Sequence, residues 1–282
     1  MAMDDVPYAF SQSVAALLPY PALLENRFPT ALWQQPIDEQ IKHRVDVTLR
    51  IGCDNGGAWS YVMFCKGGEF TFEEVRTANS RHFRIEKICV SAISYAEHAT
   101  YEEMTELVTF IVPFVNFGSL IVDYRRIDAE DDFSKLLALF QNSPFAHIDV
   151  KKANCAQFIA SQLKSSVLQK LLIDQVPISA ARKPAFEEFV LEAAFELASL
   201  RSKNLKFDCA FFEHLFERSL DRDYMQLVCY FSFDFQELGD FKKELQIDTE
   251  CYKWSWRRED GVSVHVDQRG GRLFNVEFEN DN

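Results

Sequence analysis

Two stretches gather carboxylates closely enough to work as an acid–base pair: "YAEHATYEEMTE" over residues 95–106 and "DAEDDF" over residues 128–133. A glycosidase-like site needs two such groups, one protonated and one ionised, flanking the bond to be broken. Both runs stand just ahead of a helical apolar pattern, however, where carboxylates oppose the positive end of the helix dipole. The spacing therefore predicts solvated helix starts. The six histidines (His43, His82, His98, His147, His214, His265) are scattered, with no i, i+4 pair and no cysteine at ligand spacing, so no metal and no cofactor is expected. There is no G-x-S-x-G, Walker loop, H-E-x-x-H, dinucleotide fingerprint or kinase set. Cys53, Cys65, Cys89, Cys155, Cys209, Cys229 and Cys251 stand singly, an odd count without C-x-x-C, and read as small core residues. The expectation is a protein without catalysis; the enzymatic alternative is a hydrolase using a carboxylate such as Asp123 or Asp149.

Composition then bounds the partners. The chain has 282 residues, 48% of them hydrophobic, which is ample for a buried core, and a formal net charge of −13. That charge, without clustered Lys and Arg, disfavours nucleic acid and anionic membrane surfaces. The first ten residues carry two aspartates and no basic n-region, and no window is long and apolar enough to span a bilayer. The expected partner is protein, and the expected location is the cytosol or nucleus.

The elements that would position such a surface repeat. The spacing apolar-x-x-apolar-x-apolar occurs as Ile85/Ile88/Val90, Phe117/Leu120/Val122, Phe145/Ile148/Val150, Leu168/Leu171/Ile173, Phe195/Ala198/Leu200 and Met225/Val228/Tyr230, with starts about 23 to 32 residues apart. Between them lie i, i+3, i+4 patterns: Met104/Leu107/Val108/Ile111, Phe133/Leu136/Leu137/Phe140, Cys155/Phe158/Ile159, Phe186/Phe189/Val190/Ala193 and Phe212/Leu215/Phe216. Pro184 and Asp208 sit at helix-entry positions. One strand–helix unit cannot hide its apolar face alone, so the units are expected to stack, with parallel strands inside and helices outside. This resembles the leucine-rich-repeat architecture; a doubly wound α/β domain is the alternative, disfavoured because no Gly-rich phosphate loop follows the first strand. Counting outward from the repeat, the exposed strand positions are Ser119 and Asp123, then His147, Asp149 and Lys151, then Lys170 and Asp174, then Ser199 and Arg201. This mixed-charge strip is the expected target-binding face.

Other elements flank the array. "VDVTLRIGCDNGGAWSYVMFCKGG" is two alternating segments around Asp-Asn-Gly-Gly, a β-hairpin. "CYKWSWRREDGVSVHVDQRGGRLFNVEFE" reads as an antiparallel meander covering the last unit, with Trp254 and Trp256 buried. At the other end, Pro7 opens a short helix in which Phe10, Val14, Leu17 and Leu18 share a face, followed by an apolar series that reaches Trp33. The expected organisation is a helical segment over 1–44, hairpin and linker over 45–82, strand–helix repeats over 83–249 and the meander cap over 250–282.

A Val-Pro start, an apolar helix, a second apolar cluster and a later Trp resemble an F-box. "DDVPYAFSQSVAALL", "FVNFGSLIVDY", "FAHIDVKKANCAQFIASQLKSSVLQKLLI" and "YKWSWRRED" together are similar to the nematode-expanded F-box and F-box-associated proteins. The resemblance implies that the N-terminal helices dock on the Skp adaptor of a cullin ubiquitin ligase while the remainder recruits a protein for ubiquitination. Pro7, Phe10, Val14, Leu17, Leu18 and Trp33 would then face the adaptor or form the core of the box. The alternative within the same resemblance is a binding module that no longer joins a ligase and acts by sequestration or inhibition, as a toxin–antidote or immune component.

Overall fold

Period-two alternation and period-3.6 stripes succeed one another along the chain, and each strand buries the side that the next helix covers. A computed structural model describes residues 8–18, 23–24, 31–54, 58–77, 82–91, 97–123, 130–217, 224–233, 246–250, 253–259, 261–268 and 272–280. Its helices are α1 (Tyr8–Leu17), α2 (Ala31–His43), α3 (Phe72–Thr77), α4 (Tyr101–Ile111), α5 (Glu130–Leu139), α6 (Ala156–Gln162), α7 (Lys183–Glu192) and α8 (Cys209–Glu217). The strands of the first half are β1 (Val45–Cys53), β2 (Trp59–Cys65), β3 (Gly68–Phe70), β4 (Phe83–Ser91), β5 (Glu97–Ala99) and β6 (Val115–Asp123). Those of the second are β7 (His147–Lys151), β8 (Lys170–Asp174), β9 (Leu197–Arg201), β10 (Lys206–Phe207), β11 (Tyr224–Phe231), β12 (Gln246–Glu250), β13 (Lys253–Arg257), β14 (Val262–Gln268) and β15 (Leu273–Asn280).

The protein is a mixed α/β structure built on one large open sheet, with 15 strands among the described residues. From β1 through β4, β6, β7, β8 and β9 to β11, neighbours are parallel and follow chain order. β1 and β2 form the expected hairpin on one flank. On the other, β15 pairs antiparallel with β11 and leads through β14 and β13 to β12, so the meander holds one strand more than its sequence pattern indicates.

One side of the parallel run is apolar and covered. Leu49, Ile88, Leu120, Ile148, Leu171, Ala198 and Leu227 lie in one cross-strand row, each 0% exposed, and join one core with the buried residues of α4 to α8. Burying each Leu or Ile contributes roughly 1.5–3 kcal/mol, so this row and its helical cover dominate stability. Capping follows chemistry: Thr100 and Glu103 form a reciprocal capping box at α4, and Asp208 accepts the Phe211 N–H at 2.9 Å at the start of α8. Of the carboxylates in residues 97–106, Glu103 is the one held in the capping box; of "DAEDDF", only Phe133 has a described side chain, and it is buried.

Two repeat assignments move. Phe117, expected in the core, is 39% exposed with φ 53°, because β6 spends two extra residues opposite Glu86 before pairing resumes at Ser119. Gly118 is required there, since a Cβ would come within 2.9 Å of the Ile85 carbonyl oxygen. In β11 the inward residues are Met225, Leu227, Cys229 and Phe231; Val228 and Tyr230 belong to the other face, one residue out of the assigned phase.

The N-terminal helices have a small core of their own, Ala15, Leu23 and Ile37, with Leu18 and Ile41 packed against it. Two guanidiniums tie them to the sheet. Arg44 donates to the Leu18 carbonyl at 2.6 Å and to Asp46 at 2.7 Å; Arg84 donates to the same Leu18 carbonyl at 2.9 Å and to the Asn116 carbonyl of β6. A carbonyl just past a helix end has no intrahelical donor and sits at the negative end of the helix dipole, so it suits this clamp. Burial, with the neighbouring Arg44 charge, pushes Arg84 down to about 10, still cationic at neutral pH. Arg84→Met is expected to raise amide exchange across residues 8–18, matching a local loss of about 1–3 kcal/mol, with β7 and β8 unchanged. Unaltered exchange in 8–18 would show that packing alone holds the helices.

Candidate functional site

The uncovered side of the parallel run is a grid of three rows across six strands. From β1 to β9 the first row is Thr48, Lys87, Ser119, His147, Lys170 and Leu197. The second is Arg50, Cys89, Ile121, Asp149, Leu172 and Ser199; the third is Gly52, Ser91, Asp123, Lys151, Asp174 and Arg201. All nine residues expected on the exposed strip therefore share one side, because each strand alternates against an inner pair such as Ile148 and Val150 or Leu171 and Ile173. Ser199 is a partial exception: it occupies its grid position but is buried.

The rows differ in chemistry. The third alternates sign, Asp123, Lys151, Asp174, Arg201, and so neutralises itself. The second is apolar around Asp149, whose Oδ2 lies 3.4 Å from the Lys151 Nζ. The first bears cations only. Lys170 pairs with Glu196 at 3.1 Å from outside the grid. Two grid atoms, the His147 Nε2 and the Asp149 Oδ1, are shielded from solvent without a hydrogen-bond partner among the described residues. Burial lowers the His147 pKa, and Lys170 and Lys87 lower it further against the opposing pull of Asp149.

Turns at the carboxyl ends of the strands repeat as well. Lys152 and Gln175 each follow a strand with φ 58°, and their N–H groups donate to the Asp174 and Arg201 carbonyls at 2.8 and 2.9 Å. A cleft of about 450 Å³ opens beside them, lined by Asp174, Arg201, Lys203, Asn204 and Tyr230 among others. A second cleft, about 690 Å³, lies where Ile41 and Arg44 at the end of α2 meet Asp46, Thr48 and Phe64 at the hairpin side of the grid. No group of three or more His, Cys, Asp and Glu able to hold a metal ion occurs among the described residues.

The N-terminal candidates divide. Pro7 and the Leu17 side chain lie outside the described residues. Phe10 is 54% exposed, Val14 is half-buried, Leu18 packs on the small core, and Trp33 is buried with its ring edge-on to Phe10 at 6.3 Å. Leu24, in the same helical region, is 58% exposed. Sequence reasoning passed over Lys87, Arg50, Ile121 and Leu172. The first precedes an inner apolar residue just as Ser119 does, so the same count reaches it; Arg50 needs the β1–β4 pairing, which crosses the intervening hairpin.

No family model, curated protein or solved structure matches the chain. No helix among the described residues is long and apolar enough to cross a membrane.

The depressed His147 pKa fixes a pH dependence. Above about pH 6.5, the ordinary imidazole value, both folded and unfolded chains carry a neutral ring and the stability is whole. As pH falls below that value the unfolded chain takes the proton first, and stability declines until the folded ring is protonated. His147→Gln is expected to flatten this acid limb in thermal melts, and the ring is expected to titrate below 6.5 by NMR. A midpoint at or above 6.5 would contradict the burial argument.

Proposed function

We propose that the chain is a non-enzymatic substrate-recognition subunit of a Skp/cullin-type ubiquitin ligase, related to the nematode-expanded F-box proteins. In this reading the parallel run is a leucine-rich-repeat-like solenoid. Its support is repetition: in-order parallel pairing, a shared inner row, and the same left-handed turn after β7 and β8. The observation that carries the adaptor half is the pair of large apolar side chains left out of the helical core, Phe10 and Leu24, on a segment clamped to the sheet.

Such a subunit supplies no chemical step. It raises the effective concentration of target lysines near a ubiquitin-charged enzyme, which requires two interfaces at a fixed separation. Phe10 and Leu24 serve the first interface, with Trp33, Leu18 and Val14 as its internal support. The grid serves the second.

Co-expression with the Skp adaptor tests the reading. Wild-type chain is expected to co-purify with it, and Phe10→Asp combined with Leu24→Asp is expected to weaken pairing at least tenfold with the thermal transition retained, since neither side chain is buried. A well-folded wild-type chain that does not pair would overturn the ligase role and leave the sequestering module.

A further inference from the structure

We propose that the grid takes an extended acidic segment of its protein partner, with two carboxylates four residues apart lying over Lys87 and Lys170. The proposal rests on the reading of this face as the target surface and names the chemistry of the target. The chain is strongly acidic overall, yet much of its acid is displayed elsewhere: α4 carries Glu102, Glu103 and Glu106, of which Glu106 meets Arg76 of α3 at 3.6 Å, and α8 carries Glu213 and Glu217 with no Lys or Arg. The grid has the opposite balance. Five cations (Arg50, Lys87, Lys151, Lys170, Arg201) face three carboxylates (Asp123, Asp149, Asp174). An acidic segment is therefore repelled by the helical side and drawn to the open one.

The rows locate it. The third row cancels its own charge and the second holds one ion of each sign, whereas the first carries Lys87 and Lys170 with no carboxylate. Lys87 has no ion pair among the described residues. Among the described residues Lys170 pairs with Glu196, and with side chains 46% and 55% exposed that pair is weak and exchangeable. Beside this row, Ile121 and Leu172 are half-buried apolar neighbours of Asp149 and can receive an apolar side chain between the two acids.

Geometry sets the spacing. Lys87 and Lys170 are three strand steps apart through Ser119 and His147, about 14 Å at 4.7–4.9 Å per step. An extended chain covers that span in about four residues, and residues i and i+4 point to the same side. A helix needs about nine, which places its two carboxylates on opposite sides.

A display library of random twelve-residue peptides, panned on the intact chain, tests this. Enrichment of Asp or Glu at i and i+4 is expected. Resynthesised peptides are expected to bind at least tenfold more weakly to Lys87→Glu, more weakly still to Lys87→Glu with Lys170→Glu, and two- to threefold more tightly to Glu196→Gln, which frees Lys170. Lys170 is exposed and Lys87 half-buried, so each variant's thermal transition is recorded beside its affinity, and Lys87→Gln, which keeps a polar side chain at that position, is expected to weaken the peptides in the same direction. Enrichment of basic or uncharged peptides, no enrichment, or indifference to Lys87→Glu would overturn the proposal. So would an oligouridylate that displaces the peptides and loses affinity with the same substitutions, since the face would then belong to nucleic acid. Because the panning uses the chain alone, failure to pair with the Skp adaptor leaves this readout untouched.

Discussion

The constraint beneath the whole molecule is register. A parallel strand exposes every second side chain, so a one-residue slip in any repeat would put apolar residues on the open face and charges under a helix. Here the inner row from Leu49 to Leu227 stays level across seven strands although the intervening segments differ in length. Irregularity is expelled to the strand entrances. Glu86 in β4 and Asn116–Phe117–Gly118 in β6 absorb the mismatch before the grid begins, and Gly118 lets the two backbones approach closely. The positive φ of Phe117 is the local consequence, a cost of order 1–3 kcal/mol that the flanking ladders outweigh.

Register also explains which parts of the structure could be read from the residues. The β7, β8 and β9 repeats have an apolar residue three positions before the first of the inner pair (Phe145, Leu168, Phe195), all buried, so counting outward puts His147, Asp149, Lys151, Lys170, Asp174 and Arg201 on the same side of the sheet as the register does. In β11 both faces are apolar, Leu227 and Val228 being buried alike, so periodicity could not choose the phase and the assignment slipped by one. Phe117 failed for a different reason. A bulge adds residues without changing their hydropathy, so nothing in the pattern announces it. The two-arginine clamp was illegible altogether, because Leu18, Arg44 and Arg84 meet only after β1 and β4 have paired.

That clamp gives the N-terminal helices a defined place. Among the described residues their own core is Ala15, Leu23 and Ile37, with Leu18 and Ile41 against it, and apolar burial of this kind carries little direction. Arg44 and Arg84 supply direction instead, since two guanidiniums converging on one carbonyl restrict both distance and angle. Arg84 simultaneously holds Asn116 at the start of the β6 bulge, so the helical pair and the first irregular entrance of the array share one fastening. Among the described residues, the attachment of the helices to the sheet thus rests on a few charge-assisted hydrogen bonds.

The open face is finished differently at its meander end and at its centre. At the meander end Gln226 donates to Asn275 at 2.9 Å and to Glu277 at 2.8 Å, while Asn275 donates to Glu277 at 2.6 Å, so the polar groups of β11 and β15 satisfy one another. Behind them Trp256 sets its ring against Phe212 and Phe216 at about 6 Å, sealing the last helix against the cap. At β7 the opposite holds: the His147 Nε2 and Asp149 Oδ1 lie out of water with no partner among the described residues. A buried polar atom without a partner costs about 1–3 kcal/mol, and such a cost recovered only on contact makes contact there more selective than at the self-satisfied end. Among the described residues, side-chain hydrogen bonding is thus satisfied across β11–β15 and incomplete at β7, in the stretch of the sheet where the cationic row also lies.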